Sequence, residues 1–297
     1  MGSDIDPKRP KASTQPSVWV GVQVTSGVLT QVQFTLVHWA RGPALRSFPF
    51  VFSVVRGDPM CPDLQHQNHI SSQFNADLEA IRQNVLKMGG VVEQQLLDAT
   101  EALLNCNESL ADDVILRGEE VDALEIAIDE ASTLVLVKRQ PTAGDLRMVI
   151  ALTRVVTDLE RIGDEAEKIA RMSKALVGQP KLDGQMAETG HLARHVSKLI
   201  RDAFDALARF DTELALQVAE EDRVIDREYE SLMRICHTYM MENPRNIGRT
   251  MNIVWAVRSL ERIGDHARNI SELVIYLVRG TDVRHMGLKR MKAEVQG

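Results

Sequence analysis

The chain has 297 residues, a net charge of −7 and 44% hydrophobic residues, which is typical of a soluble protein with an ordinary core. Aromatic residues make up only 4%, which favours packed aliphatic helices over sheets. The acidic balance and the lack of a sustained basic run argue against direct nucleic-acid binding. No stretch is as long as the roughly 18 apolar residues that a membrane span needs, so direct membrane insertion is not expected.

Cysteine usage points to a reducing compartment. Cys61, Cys106 and Cys236 are widely spaced and show no CxxC pairing, so neither a disulfide framework nor a zinc knuckle is indicated. We therefore expect a cytoplasmic protein.

Residues 1 to 59 differ from the rest of the chain. They hold six of the thirteen aromatic residues and six of the ten prolines, and apolar residues alternate from Val20 to Val24 as in a strand. Two interpretations are open: a small appended β-hairpin or anchor, or a disordered extension that precedes a native start at Met60. Because a lone hairpin is only marginally stable in water, we expect the extension.

From Phe74 onward, apolar residues recur at spacings of three and four, which predicts amphipathic helices. The first predicted helix runs to about Leu103 and is followed by a turn at residues 105 to 109. A second helix is predicted from about Leu110 to Arg139, where Pro141 breaks the chain. A third follows from about Gly144 to Leu176.

After a loop at residues 178 to 184, the pattern begins again. Three further helices are predicted, at Met186 to Phe210, Thr212 to Met241 and Asn246 to Arg279. The three prolines after Pro62 all fall in the proposed turns, which supports these boundaries; they are Pro141, Pro180 and Pro244.

Six helices in two sets of three predict an all-α fold of two antiparallel three-helix bundles related by an internal repeat. We expect residues 60 to 180 to form the first bundle and residues 181 to 280 the second. Residues 281 to 297 are then a short tail, which we expect to be partly free.

A hexapeptide, Leu-Glu-Arg-Ile-Gly-Asp, occurs at residues 159 to 164 and again at residues 260 to 265. Its leucine and isoleucine belong to the apolar stripe that faces the bundle core. Stepping 100° per residue, Glu160 and Asp164 point together roughly 150° away from the centre of that stripe. The sequence therefore predicts that the acids of both copies face outward, away from their own core.

Carboxylates four residues apart repel each other, at a cost of roughly 0.2–0.5 kcal/mol in an isolated helix, so a cation is expected to compensate. Carboxylate oxygens suit Mg²⁺, Mn²⁺ or iron. The fifth helix repeats the spacing at Asp222 and Asp226, whereas the second has Gly118 and Asp122, an incomplete set. The candidate metal ligands are Glu160, Asp164, Glu261, Asp265, Asp222, Asp226 and Asp122.

The same residues can instead form a solvated charged face. In that alternative Asp164 pairs with Lys168, Glu261 with Arg258, and Asp265 with Arg268, and such exposed pairs contribute little stability. Spacing alone does not decide between the two. The two hexapeptide glycines have a structural interpretation as well, since a small residue allows close contact between helices.

Other candidate sites are weaker. Glu188 and His191 form a single E-x-x-H, whereas a carboxylate di-metal centre needs two. We therefore expect His191 and His195 to be surface or packing residues, and Cys106 and Cys236 to be buried thiols without an activating base. Phosphate-binding loops, nucleophile elbows and zinc-protease motifs do not occur in the sequence, so no enzymatic apparatus is visible.

With both hexapeptide copies in place, the sequence resembles the PhoU family of phosphate-uptake and phosphate-signalling regulators over nearly all of residues 66 to 290. Five further stretches carry the resemblance. They are residues 69 to 75, 88 to 95, 138 to 147, 239 to 242 and 279 to 285.

The resemblance implies a double three-helix bundle and a cytoplasmic, often dimeric protein that binds metal through E/D-x-x-x-D motifs. It also implies an adaptor between the ATPase subunit of a phosphate ABC transporter and a membrane sensor histidine kinase. Such a protein represses the phosphate-starvation regulon and restrains uptake when phosphate is plentiful. The alternatives are a carboxylate-bridged metal enzyme acting on phosphate esters and a purely structural helical scaffold.

Overall fold

A computed structural model of the protein describes three short strands, residues 72–139, residue 141, and residues 143–180 and 183–297. The chain divides into two compact units, Met1–Pro59 and Met60–Gly297.

The first unit contains the three strands β1 (Val20–Gln23), β2 (Val32–Leu36) and β3 (Phe50–Phe52). They form an antiparallel sheet in the order β1-β2-β3, with Val20 opposite Leu36 and Val32 opposite Phe52. Strand β1 covers the first four residues of the stretch in which apolar residues alternate, Val20 to Val24. The rest of this unit lies outside the described residues, so its interpretation as an extension before a native start stays a prediction.

The described part of the second unit is all-helical. Its α-helices are α1 (Ser72–Asn105), α2 (Glu108–Arg139), α3 (Ala143–Leu176), α4 (Asp183–Arg209), α5 (Thr212–Glu242), α6 (Ile247–Arg279) and α7 (Leu288–Gln296). The first six confirm the six predicted helices, with ends that differ by only a few residues. A 3₁₀ turn at Pro244–Asn246 precedes α6.

Polar side chains and one glycine set the ends of these helices. Asp211 caps α5, because its Oδ1 accepts hydrogen bonds from the backbone N–H groups of Glu213 and Leu214, both at 3.0 Å. Gly280 ends α6 in a left-handed conformation with φ of 77°, and its N–H donates to the Tyr276 carbonyl at 3.0 Å.

Helices α1, α2 and α3 pack on one another, as do α4, α5 and α6, and the most extensive contact between the two sets is that of α3 with α6. This confirms the predicted pair of three-helix bundles. The apolar hexapeptide residues Leu159, Ile162, Leu260 and Ile263 are fully buried. Both copies of the hexapeptide therefore lie on α3 and α6, the two helices that make the main contact between the bundles.

The tail is not partly free, so that prediction was wrong. Residues 288–296 form α7, which packs on α5 and α6. Met291 and Val295 are four residues apart and both are buried, so α7 is a short amphipathic helix whose apolar face is buried. Within the described residues, no helix combines the length and apolar character that crossing a membrane requires.

Candidate functional site

The two hexapeptide copies place equivalent acids beside a neighbouring helix. Glu160 on α3 and Glu261 on α6 have side chains that are only 19% and 15% exposed. The predicted outward direction is thus only partly right, because α2 packs beside α3, and α5 packs beside α6. The acids line grooves between helices rather than a fully solvated face.

The hexapeptide glycines allow this close packing. A methyl group added at Gly163 would lie 3.2 Å from Gln95 Oε1 and 3.3 Å from Val121 Cγ1. At Gly264 it would lie 3.4 Å from Asp222 Oδ1. The structural interpretation of these glycines, as small residues at a close helix contact, is supported at Gly163 in particular.

In the second repeat, four of the predicted ligands come together between α5 and α6. Asp222 is buried, with its side chain 2% exposed. Burial, followed by the charges of Asp226 and Asp265, raises the pKa of Asp222 to about 6. Burial and then Asp265 raise the pKa of Glu261, and burial and then Asp226 raise that of Asp265. Burial is the largest cause of all three shifts, and the neighbouring carboxylates add to it.

Two arginines compensate part of this charge. Arg268 Nη1 lies 3.5 Å from Asp222 Oδ2, and its Nε lies 3.1 Å from Glu272 Oε1, rather than pairing with Asp265 as the solvated-face alternative predicted. Arg258 Nη1 lies 3.6 Å from Glu261 Oε1. The other oxygen, Oε2, is buried and has no hydrogen-bond partner among the described residues. Burial of a carboxylate oxygen without a partner costs folding free energy, and a bound cation would supply the missing interaction.

The solvated-face alternative is right for one of its three pairs and wrong for the other two, Asp164 with Lys168 and Asp265 with Arg268. The predicted pair of Arg258 with Glu261 is present. Lys168, however, donates to Glu165 at 3.0 Å and not to Asp164. Glu165 attracts this lysine because it is a buried acid on the same helix, three residues earlier.

The first repeat brings acids from α2 beside those of α3. Burial and then the charge of Asp164 raise the pKa of Glu160, and Asp122 and Glu125 contribute further. Burial, followed by Asp129 and Asp122, raises the pKa of Glu125, which was not among the predicted ligands. Asp122 itself is exposed. This set is more open than its counterpart in the second repeat.

The place of the missing acid at Gly118 is taken by a side chain from the next helix. A methyl group at position 118 would lie 1.7 Å from Oε1 of Glu167, so the Glu167 carboxylate occupies that space. Its Oε2 accepts a hydrogen bond from Arg171 at 2.7 Å. Helix α3 therefore supplies a carboxylate where α2 has none.

The sequence analysis missed Glu167, although its spacing contains a usable signal. Glu160, Asp164 and Glu167 follow an i, i+4, i+7 pattern, which puts all three on one helix face. The charge at two equivalent positions is also reversed between the repeats, since Glu167 and Arg171 correspond to Arg268 and Glu272. Comparison of the two repeats position by position would have found this exchange.

The donor chemistry fits a hard cation, most clearly in the second repeat, where Glu261 Oε2 lacks a partner. A complete coordination sphere is not preassembled. Among the described residues, no three carboxylate, imidazole or thiol groups surround one point closely enough to hold an ion. The metal assignment therefore stays a prediction for Glu160, Asp164, Glu261, Asp265, Asp222, Asp226 and Asp122.

The PhoU domain family model matches the chain twice, at residues 85–173 and 189–274. The chain belongs to the PhoU family. Each match lies within one three-helix bundle, so the family assignment and the internal repeat agree.

Relatives of this PhoU-family chain align with most of its length. It is 55% identical over 230 residues to the phosphate-specific transport system accessory protein PhoU homolog of Pseudomonas putida, covering 77% of this chain and 90% of that protein. It is 44% identical over 224 residues to the phosphate-specific transport system accessory protein PhoU of Escherichia coli K12, covering 75% and 92%.

Solved structures of PhoU proteins share the fold. The crystal structure of PhoU from Pseudomonas aeruginosa matches with a TM-score of 0.69 at 51% identity, covering 70% of this chain and all of that one, 100%. The phosphate transport system regulatory protein PhoU from Streptococcus pneumoniae matches with a TM-score of 0.65 at 26% identity, covering 71% and 99%.

These relatives are accessory and regulatory proteins, so the prediction that this PhoU-family protein is not an enzyme is confirmed. The remaining side chains agree with it. Cys236 is buried, and burial raises its pKa to about 11, which makes the thiol a poor nucleophile. His195 bonds to Glu221 at 2.8 Å and to Glu228 at 3.0 Å, a packing role, and His191 is exposed.

Proposed function

We propose that this PhoU-family protein is a negative regulator of the phosphate-starvation regulon and of high-affinity phosphate uptake. It acts as an adaptor between the ATPase subunit of a phosphate ABC transporter and a membrane sensor histidine kinase. The observation that carries the proposal is the similarity over both repeats to phosphate-specific transport system accessory proteins, at 55% and 44% identity. The protein works in the cytoplasm, which agrees with its two described cysteines being free thiols.

The predicted metal ligands in the grooves between α2 and α3 and between α5 and α6 are proposed to bind a divalent or trivalent metal ion, namely Mg²⁺, Mn²⁺ or iron. In the second repeat, Asp222, Asp226, Glu261 and Asp265 would hold the ion, whose positive charge offsets the crowded carboxylates. The equivalent set in the first repeat is Glu160, Asp164 and Asp122. These side chains line the grooves between α2 and α3 and between α5 and α6, so a bound ion would hold the two helices of each pair together.

The regulatory role is tested by deleting the protein and measuring phosphatase expression and phosphate uptake at high phosphate. Both should rise, because the kinase is no longer held in its repressing state. Expression of the full chain should restore repression. Unchanged phosphatase expression and uptake in the deletion strain would contradict the proposal.

The metal role is tested with the variant Glu261→Gln/Asp265→Asn, which keeps side-chain size and removes two charges. Metal analysis of the purified full chain should show a loss of bound ion relative to wild type, since the amides are weaker ligands for hard cations. The matched control Glu213→Gln/Glu230→Gln removes two exposed acids elsewhere on α5 and should keep the ion. Equal metal content in all three proteins would refute the assignment.

The protein is further proposed to form a homodimer, as the family resemblance implies. Light scattering of the purified chain distinguishes a dimer from a monomer across a range of concentrations. A monomer at every concentration, with repression intact in cells, would separate regulation from dimerisation.

A further inference from the structure

Helix α2 is apolar on two faces, unlike an ordinary amphipathic bundle helix. One face packs on α1 and α3, and these are its helix partners within the described residues. The buried residues of this inner face are Ala111, Val114, Val121, Ile128 and Val135. They follow spacings of three and seven, as expected for a bundle core.

The outer face of α2, which we define by Leu116, Ile126, Leu134 and Val137, exposes large apolar side chains. Their exposed fractions are 65%, 60%, 51% and 72%. Stepping 100° per residue places all four within a sector of about 80°. The same sector also holds the exposed acids Glu119 and Glu130, so large apolar and acidic side chains share this face along most of the helix. The combination indicates an interaction surface for a partner that is both apolar and basic.

A cleft deepens this surface near its C-terminal end. The cleft has a volume of about 350 Å³ and lies between α1 and α2, where Leu134, Val135 and Ala131 line it together with Ile81 and Lys138. An apolar side chain from a partner could enter here beside Leu134. Anchoring residues of this kind usually carry much of the affinity at a helix-binding groove.

The charges around the outer face select the kind of partner. Four exposed acids lie on it or beside it, namely Asp113, Glu119, Glu120 and Glu130. The nearby Arg117 is engaged by Asp98 at 2.6 Å, and Lys138 is the base at the C-terminal end of the face. A second copy of this chain would bring the same acids to the interface, which is unfavourable, whereas a basic partner complements them.

We propose that the outer face of α2 binds a basic amphipathic helix of a partner protein. Apolar residues of that helix at i, i+3 or i+4, and i+7 pack on the exposed apolar side chains, and its lysines or arginines pair with the acids on and beside the outer face. The carboxylates assigned to metal do not define this surface. The proposal therefore does not rest on the regulatory role, and binding of a peptide tests it directly.

The probe is a fluorescent synthetic peptide about five helical turns long, with leucines on one face and lysines on the other. Anisotropy titration with the full chain should show binding. The variant Ile126→Gln/Leu134→Gln should weaken binding at least about tenfold, because it removes two apolar anchors. Circular dichroism checks that the variant remains helical, as expected for residues that are largely exposed.

Two controls separate this surface from general attraction to an acidic protein. The variant Met241→Gln/Trp255→Gln removes two exposed apolar side chains on α5 and α6 and should bind as wild type does. A peptide with the same composition but scrambled order should bind at least about tenfold more weakly, since its leucines no longer share one face.

Three outcomes would overturn the proposal. The first is equal affinity of the peptide for wild type and for Ile126→Gln/Leu134→Gln. The second is a wild-type oligomer that this variant converts to monomer, which would assign the face to a second copy. The third is peptide binding only after removal of residues 1 to 59, which would assign the face to the chain's own N-terminal segment.

Discussion

At the residue scale, Asp222 is the most strongly perturbed of the predicted ligands. Its carboxyl group is buried beside Asp226 and Asp265, and these conditions raise its pKa to about 6. Arg268, at 3.5 Å, opposes the shift without cancelling it. Asp222 is therefore a group that costs stability when it is ionised without a cation nearby.

This cost predicts a pH dependence in metal-free buffer. Because the folded state holds the Asp222 proton more tightly than the unfolded state, the contribution of Asp222 to stability is greatest below the ordinary aspartate pKa and is lost as pH rises through about 6. Asp222→Asn removes this loss. Near neutral pH the variant should exceed wild type in the free energy of unfolding by at most about 3 kcal/mol, and at about pH 4 the two should converge.

Urea unfolding at a series of pH values in the presence of a chelator measures this difference. A difference between the two proteins that does not change with pH would contradict the prediction. Addition of Mn²⁺ near neutral pH should reverse the order, because only wild type keeps the full set of carboxylates.

At the element scale, α2 and α5 are equivalent helices that differ in how they meet the next helix. Asp222 of α5 meets Arg268, whereas Gly118 of α2 leaves room for the Glu167 carboxylate. Glu167 pairs with Arg171, so the positions that follow each hexapeptide carry the same ion pair with opposite polarity. The repeat conserves the contact while exchanging the charges.

This exchange predicts coupling between position 118 and the pair on α3. Gly118→Asp should destabilise the protein by about 1 kcal/mol, because the new carboxylate displaces Glu167 and repels it. In a background with Glu167→Arg/Arg171→Glu, the same change should be favourable, with a coupling energy of about 1–2 kcal/mol.

A double-mutant cycle of urea unfolding free energies measures the coupling. Gly90→Asp is the matched control, since Gly90 is an exposed glycine of α1 with open space around it. It reports the effect of replacing a helix glycine alone. Additive effects at position 118 and on α3 would show that the two sites do not interact.

At the scale of the whole helical unit, α3 and α6 join the two bundles through polar contacts as well as apolar ones. Buried Glu165 on α3 accepts hydrogen bonds from Ser259 at 2.7 Å and from Arg262 at 2.9 Å. At the equivalent positions, His266 lies 2.8 Å from Asp158. The two contacts are related by the same repeat that relates the hexapeptides, since each pair of equivalent residues is 101 positions apart.

Replacement of Glu165 should weaken the joint between the bundles. Burial alone raises the pKa of Glu165, but the hydrogen bonds from Ser259 and Lys168 and the charges of Lys168 and Arg262 outweigh it and lower the pKa. The stabilisation is thus present above the ordinary glutamate pKa and is lost as pH falls below it. Glu165→Ala should cost about 1–3 kcal/mol near neutral pH, and less in acid.

Hydrogen exchange of α3 and α6 locates the effect. In Glu165→Ala, exchange should rise at the contact between these helices and change little in α2. Glu167→Ala, which removes a half-buried acid of the same helix that pairs within α3, is the control. Equal protection of α3 and α6 in wild type and Glu165→Ala would contradict the prediction.

The sequence by itself determined the helices, the turns at the prolines, the twofold repeat and the core positions of the hexapeptide. These features follow from short-range rules: the period of apolar residues, the backbone limits of proline, and recurrence of a motif. The placement of Glu160 beside Asp164, and of Glu261 beside Asp265, on one helix face also follows from a short-range rule, because helix geometry alone makes residues i and i+4 neighbours.

Only the tertiary structure decided how those acids are surrounded. The burial of Glu160 and Glu261, the Glu167 carboxylate above Gly118, the docking of α7 and the uncovered outer face of α2 all depend on which helix lies beside which. A sequence pattern gives the direction of a side chain from its own helix axis, but not the neighbour that it meets. The adjacent helix supplies both the burial and the nearby charges that shift the pKa values of these acids. Those shifts therefore follow from the packing of the helices and not from the sequence pattern.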